Sequence, residues 1–280
     1  MIIIRITSGL GNQLFQYAFA RINSLKRKEK LWLDTSNFSS SDNRHFQLNN
    51  FNIIYDGKIN FCLNRILFRL ISRINIFLPK LISFFKIYIE QKPMVYNPMF
   101  SVTKFIYYSG YFQSEKYFSK YRKLLLRELT PKTNIKSKYD YLFNNKNNLI
   151  AIHVRRGDYL TEVNKKVFVT YDVNYFYKSI KFISNKIKNP HFLIFSDDIS
   201  WCRKNLKIDY PNTYVNASDA VTDLFLMSKC DHQIISNSSF SWWAAWLNIN
   251  KNKIVIAPKK WINSDYNDYK DIYPSNWIKL

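Results

Sequence analysis

An α/β fold built on parallel sheets is what this sequence predicts, on three observations. An apolar run, Ile2-Ile3-Ile4 with Ile6, leads directly into Gly9-Leu10-Gly11 and a helical pattern. From Leu149 onward, short apolar runs alternate with longer amphipathic ones, the signature of strands crossed over by helices. At 280 residues, 47% hydrophobic and 18% aromatic, the chain can fill two cores of ordinary size and does not have the composition of a disordered chain.

Residues 2–6 read as a buried strand, and Ser8-Gly9-Leu10-Gly11-Asn12 as a tight turn. A helix follows from about Gln13 to Lys28, with Leu14, Tyr17, Ala18, Ile22 and Leu25 at helical spacing. Leu31–Asp34 gives the next strand. In the second half, Leu149–Val154 is a strand, Tyr171–Ile187 a helix and Phe192–Phe195 a strand. Asp219–Lys229 is a helix, His232–Ile235 a strand, Ser241–Leu247 a helix and Ile254–Ala257 the final strand. The polar, Lys- and Asn-rich stretch Thr130–Asn148 reads as a linker. It divides the chain into residues 1–135 and 136–280, with a last helix able to cross back.

The segment from about 59 to 89 reads as a basic helical insertion in the N-terminal half. Arg65, Arg69 and Arg73 line one face, and Ile66, Leu67, Leu70 and Ile71 cover much of the rest. Two readings stand. Either the insertion packs on the main body with its arginines in water, or it attaches to an acidic membrane surface.

Charge alone decides little. The net charge of +22 attracts polyanions, yet the basic residues are spread along the whole chain. A nucleic-acid partner is not expected, because neither an RNA-binding aromatic signature nor a DNA-reading module occurs. Three cysteines, an odd and scattered set, fit a reducing compartment. Four histidines without ligand spacing predict no metal site. The N-terminal apolar run is too short for a secretion signal. A cytoplasmic location is expected, on the inner face of the membrane if the basic helix binds lipid.

In such sheets ligands sit beyond the C-terminal ends of strands. At one end lies His153-Val154-Arg155-Arg156-Gly157-Asp158-Tyr159. Two adjacent arginines at the mouth of a buried strand are costly unless an anion satisfies them, and a guanidinium fork fits phosphate oxygens; the alternative is a surface pair salt-bridged to Asp158. Neighbouring side chains on extended backbone diverge, so one arginine is expected to face a ligand and the other to be held by a carboxylate such as Asp158. At another end, Ser236-Asn237-Ser238-Ser239-Phe240-Ser241 opens a helix, where free N–H groups make an anion site. Asp223 lies on the preceding helix. Asp197 and Asp198 follow a third strand, where Asp198 is expected to cap the helix at Trp201 rather than bind metal. Asn12, Gln13 and Gln16 stand at the first strand end; their amides suit sugar hydroxyls, or else helix capping and turn formation.

Five ordered motifs then carry a family resemblance over nearly the whole chain. Gly9–Ala18, Gly110–Phe118, His153–Tyr159, Phe195–Asp198 and Ser236–Trp243, with Trp261 and Trp277, resemble the bacterial α-1,2-fucosyltransferases of glycosyltransferase family 11. Ser8 departs from the pattern, since the family usually has the first glycine of a Gly-Gly pair there. The resemblance implies a GT-B type fold, two Rossmann-like domains facing across a cleft, with GDP-fucose in the C-terminal one. It implies inverting transfer to a galactose-terminated glycan or lipid-linked oligosaccharide, with no cofactor and no metal. By similarity to core α-1,6-fucosyltransferases, His153 and Asp223 contact guanine, and Arg155 and Ser239 hold the β-phosphate. Arg156, Asn237, Ser238 and Phe240 complete the donor set, and Asn12, Gln13 and Gln16 the acceptor or sugar set. For the base that takes the acceptor proton, Glu162 is preferred and Asp158 is the other candidate; a strongly dissociative transition state needs neither. The rival readings are transfer of another GDP-sugar or linkage, and a non-enzymatic polyanion binder.

Overall fold

The computed structural model describes residues 1–38, 44–59, 86–98, 105–144, 148–217 and 219–280. The opening apolar run forms β1 (Ile2–Arg5), where Ile2 and Ile4 are fully buried. It runs parallel to β2 (Leu31–Asp34) on one side, with Ile2 opposite Leu31. On the other side lies β5 (Tyr107–Ser109), with Ile3 opposite Tyr107. With β3 (Gly57–Ile59) and β4 (Ile87–Ile89), the described residues make a five-stranded parallel sheet in the order β3-β2-β1-β5-β4.

Helix α1 (Leu10–Arg27) joins β1 to β2 and is buried on nearly every side as far as Ser24. It starts three residues before the apolar spacing predicts, because Gly9 in extended backbone already acts as N-cap. Lys26 and Arg27 sit in its last turn, where they complement the helix dipole. A buried carboxylate, Glu128 of α2 (Arg122–Glu128), pairs with Arg21 at 2.8 Å and accepts the Tyr17 hydroxyl at 2.5 Å. Removing one partner of such a buried pair costs ~3–5 kcal/mol.

The second sheet starts from β6 (Leu149–Val154), six residues that are all buried. Parallel sheets are covered on both faces, which is why this strand is continuously apolar up to His153. It lies between β7 (His191–Ser196) and β9 (His232–Ile234), and the order is β11-β10-β9-β6-β7-β8. The outer strands are β8 (Asn212–Tyr214), β10 (Val255–Ala257) and β11 (Ile278–Lys279). Ile150, Ile152, Phe192, Ile194 and Ile234 join the core with Phe176 and Ile183 of α5 (Val173–Ser184). Each side chain of this size contributes ~1.5–3 kcal/mol by leaving water.

The chain divides into two units. One holds Met1–Thr130 with Asn267–Ile272, the other Pro131–Tyr266 with Tyr273–Leu280. The expected division at 135 thus moves to 130, and the stretch expected to be a linker is partly packed. Ile135, Tyr139 and Leu142 are buried around the short helix α3 (Lys136–Tyr139). The segment that returns to the first unit is a six-residue strap that starts in the single 3-10 turn Tyr266–Asp268 and holds no α-helix. Asp271 fastens it by accepting Tyr96 N–H at 2.8 Å and the Lys116 ammonium at 2.5 Å. Ile254–Ala257 is not the final strand either, since β11 pairs with β10 beyond it. As for the basic insertion, its expected ends fall in β3 and β4, while Arg65, Arg69 and Arg73 lie outside the described residues. Among the described residues, no helix is long and apolar enough to cross a membrane.

Topology singles out one place in each unit. In the second, the chain steps from β6 to β7 and β8 on one side, then returns to β9, β10 and β11 on the other. The crevice beyond the C-terminal ends of β6 and β9 is therefore a topological switch point, where open parallel sheets bind ligands. In the first unit the strands divide between β1 and β5, with β4 at the far edge preceding β5 in the chain.

Candidate functional site

At the switch point of the second unit, β6 delivers His153 into the interior and Arg155 and Arg156 to its mouth. Arg155 is held from two sides: Nη2 donates to Asp158 Oδ1 at 2.6 Å and Nη1 lies 3.0 Å from Asp197 Oδ2. Arg156 turns away and lays its guanidinium 3.7 Å from the centre of the Trp201 ring. Its Nε lies 3.5 Å from Asp198 Oδ2, an ion-pair contact beyond good hydrogen-bond length. The divergence expected of neighbouring side chains is thus present, but carboxylates hold both arginines. Gly157 is required here, because a Cβ on it would stand 2.4 Å from Asp197 Oδ2. Asp198 Oδ1 accepts Trp201 N–H at 3.0 Å and caps α6 (Ile199–Asn205), as the sequence suggested.

Beyond β9, the short polar residues build a helix entrance. Ser238 is the N-cap of α8 (Ser239–Leu247), its hydroxyl accepting Phe240 N–H at 3.3 Å. The Ser239 N–H has no acceptor within the helix, as geometry requires of a first turn. Asn237 is buried and structural, its amide donating to Val169 O and Trp261 O, both at 2.9 Å. Tyr159 closes the loop from the other side through its hydroxyl to Asn237 O at 2.9 Å. Ser239 and Phe240 stay half-buried.

His153 is buried, with Nδ1 2.9 Å from Ser236 Oγ. Burial, reinforced by the Arg155 charge, pushes its pKa down to about 3, so the ring is neutral at physiological pH. Asp223 lies on α7 (Ala220–Lys229), which Asp219 caps. Its Oδ1 is buried with no hydrogen-bond partner. Burial, with the like charge of Asp219, raises its pKa to about 7. An orphaned buried acceptor of this kind awaits a donor.

Glu162, the preferred base, stands in water beside a lysine. It sits on α4 (Glu162–Lys165) with its side chain 88% exposed and pairs with Lys165 at 2.9 Å. The Lys165 hydrogen bond lowers its pKa further, which weakens it as a base. Asp158, the other candidate, is engaged with Arg155. No group of three His, Cys, Asp or Glu among the described residues is arranged to hold a metal ion.

In the first unit, two of the three expected sugar ligands have their amides occupied by the protein. Gln13 Nε2 donates to Ser8 O at 2.8 Å and His45 O at 2.9 Å, and its Oε1 accepts Gln47 N–H at 2.9 Å. Gln16 Nε2 donates to Thr7 Oγ1 and Gly110 O, and its Oε1 accepts Thr7 N–H at 3.0 Å. Both amide protons of each are used, so these glutamines tie loops rather than offer donors. Asn12 differs: it is half-buried and its Oδ1 accepts Gln113 Nε2 at 2.7 Å, which leaves Nδ2 available. Ser8 adopts φ 65°, a left-handed conformation that costs a residue with a Cβ ~1 kcal/mol. Glycine in the family pattern at this position has that reason.

Sequence reading missed three features. Asp197 is a partner of Arg155. Ser236 orients His153. Glu90 sits just past β4, its Oε2 accepting Tyr111 N–H at 2.6 Å and Phe112 N–H at 2.9 Å, with Oε1 buried and unpartnered. Burial lifts its pKa to about 7. The one sequence signal for it was Gly110, whose Cβ would stand 2.4 Å from that of Glu90.

Comparison with known proteins places the chain in a family. The family model described as Glycosyl transferase family 11 matches residues 1–280. An O-antigen biosynthesis glycosyltransferase, WbnK of Escherichia coli, is 32% identical, covering 98% of this chain and 99% of its own. An α-1,2-colitosyltransferase of Escherichia coli is 31% identical, covering 100% of this chain and 99% of its own. Among solved structures, NodZ α-1,6-fucosyltransferase co-crystallized with GDP superposes with TM-score 0.51 at 16% identity. That match covers 87% of this chain and 91% of that one, and at such identity the likeness is one of fold alone. The fold is thus that of GT-B type fucosyltransferases. With the family model matched from end to end and full-length relatives above 30% identity, the chain belongs to glycosyl transferase family 11.

Proposed function

We propose that this glycosyltransferase moves L-fucose from GDP-β-L-fucose to the 2-hydroxyl of a galactoside, with inversion, in the synthesis of a surface glycan. The observation that carries the reading is the second unit's switch point, where Arg155 and an open helix start stand together beyond β6 and β9. A diphosphate satisfies both. His153 Nδ1 lies 2.9 Å from Ser236 Oγ, and in the tautomer this reading requires it accepts the serine proton and keeps a proton on Nε2 for guanine O6. Asp223 offers carboxylate oxygens to guanine N1–H and N2–H, and this supplies the donor its orphaned Oδ1 lacks. As the glycosidic bond breaks, charge gathers on the β-phosphate. Arg155 and the Ser239 N–H stabilise it as fixed dipoles and charge, so the step needs no metal. With Glu162 in water and Asp158 engaged, the reading assigns no base in this unit and favours a dissociative transition state.

A second donor has a specific observation behind it. A relative matched over the full length is a colitosyltransferase, and colitose is the other sugar to test. The decisive assay incubates the protein with GDP-fucose or GDP-colitose and β-galactosides, with EDTA present. The product linkage is then read by NMR. An α-1,2-fucoside is expected; transfer of colitose alone reassigns the sugar. No transfer from either donor to any galactoside removes the reading, and activity lost to EDTA and regained with a divalent ion removes its metal-free step.

A further inference from the structure

We propose that Asp158 is an exchangeable internal anion, displaced from Arg155 by the donor's diphosphate, while Asp197 remains and positions that arginine. The inference rests on the donor-site reading above. Two guanidiniums here face three carboxylates, Asp158, Asp197 and Asp198, so the mouth of β6 is already over-neutralised. A diphosphate cannot add its charge there without a carboxylate leaving, because uncompensated like charges at hydrogen-bond distance repel strongly.

The geometry says which one leaves. Asp198 is fixed as the cap of α6. Asp197 is fixed twice over: Oδ1 accepts Arg156 N–H at 2.9 Å, and Oδ2 packs against Gly157 so closely that no Cβ fits. Its other contact, to Arg155 Nη1, therefore holds the guanidinium from a rigid strand end. Asp158 stands on the one-turn helix Gly157–Leu160, where its side chain is 35% exposed against 24% for Asp197. A side-chain rotation into water frees Nη2 without disturbing the backbone bonds that Asp158 O makes to Thr161 and Asn164. One arginine edge stays anchored, and the other becomes the phosphate edge.

The two carboxylates on one arginine should therefore have opposite effects on ligand affinity. Calorimetric titration of GDP into wild type, Asp158→Asn and Asp197→Asn tests this, with circular dichroism reporting the fold of each. Asp158→Asn removes the competitor and is expected to bind GDP roughly three- to tenfold tighter, whereas Asp197→Asn loosens the arginine and binds roughly tenfold weaker. GDP affinity that is unchanged or weaker in Asp158→Asn overturns the exchange, since removing a competitor for Arg155 must raise affinity. Asp158→Ser repeats the measurement should the asparagine variant misfold. Wild-type protein that binds no GDP defeats the donor-site reading instead. In that case inorganic pyrophosphate is the probe, with the same ranking expected, and equal affinities, or no binding, overturn the exchange.

Discussion

The two switch points of this molecule each lie beside the first strand of a parallel sheet, and they differ in their chemistry. Beyond β1 and β5, the loops are stitched by neutral amides whose protons are all taken, Gln13 and Gln16, over a buried carboxylate, Glu90. Beyond β6 and β9, the loops are held by ion pairs at partly exposed side chains, with a helix start and one orphaned carboxylate oxygen left open. Saturated hydrogen bonds make a rigid scaffold. Charges held by other charges can exchange partners. Parallel α/β sheets thus carry one frame fixed by its own polar groups and one cluster of charges that hold one another.

The largest expected effect breaks the charged side. Arg155→Ala should lower kcat by ~10²–10³, the scale for losing one group that stabilises developing charge. Arg155→Lys keeps the charge without the fork and should recover only part of it. Steady-state kinetics with GDP-fucose and a galactoside measure both, and near-wild-type turnover in Arg155→Ala would remove the site from the second unit's switch point.

The next effect tests the neutral side through pH. Glu90 has a folded pKa of about 7 against an ordinary value of 4.5, so the folded state holds the proton more tightly. Its contribution is therefore full below pH ~4.5 and is lost as pH rises to ~7, by up to ~3 kcal/mol. Glu90→Gln should lack that fall, with Tyr88 and Tyr117 the nearby titrating groups unaffected in this range. Urea unfolding of both proteins between pH 4.5 and 8 gives the difference directly. Parallel curves would mean that Glu90 is ionised and satisfied in the fold.

What was legible in the sequence follows the same division. Strands β1, β2 and β6 were readable because burial on both faces leaves continuous apolar runs, and helices α1, α5, α7 and α8 because of their apolar spacing, with Asp and Ser capping the last three. The place of Arg155 just past a strand end and of Ser236–Phe240 at a helix start was readable because each is local in sequence. Asp197 as the partner of Arg155 was not, since it arrives from the neighbouring strand 42 positions away. Nor were the occupied amides of Gln13 and Gln16 legible: an amide that suits a sugar suits a carbonyl equally, and only His45, Gln47 and Gly110 show which it has met. Glu162 misled for the opposite reason, being near Arg155 in sequence while its side chain points to water.

Gln16 sharpens the comparison at a smaller scale. Gln16→Leu keeps the volume and leaves Thr7 N–H and Gly110 O without their partner, at a cost of about 2 kcal/mol in thermal or urea unfolding. GDP affinity should be unchanged, since the second unit does not involve this residue. A raised acceptor KM with unaltered stability would instead restore Gln16 as a sugar ligand.

The smallest effect concerns the open carboxylate. Asp223 has a pKa of about 7 in the free protein, raised by burial and by Asp219. Guanine N1–H and N2–H bind the ionised form, so complex formation releases a proton below that pKa. Affinity should then climb as pH rises through 7 and level off above it, by roughly tenfold between pH 6 and 8. GDP-fucose is the ligand to use, because its diphosphate is esterified at both ends and does not itself titrate in this range, whereas GDP does. Asp223→Asn should bind more weakly with a flat profile. A wild-type profile that is already flat would leave Asp223 buried, protonated and away from the base, and the donor site would then rest on Arg155 and the start of α8 alone.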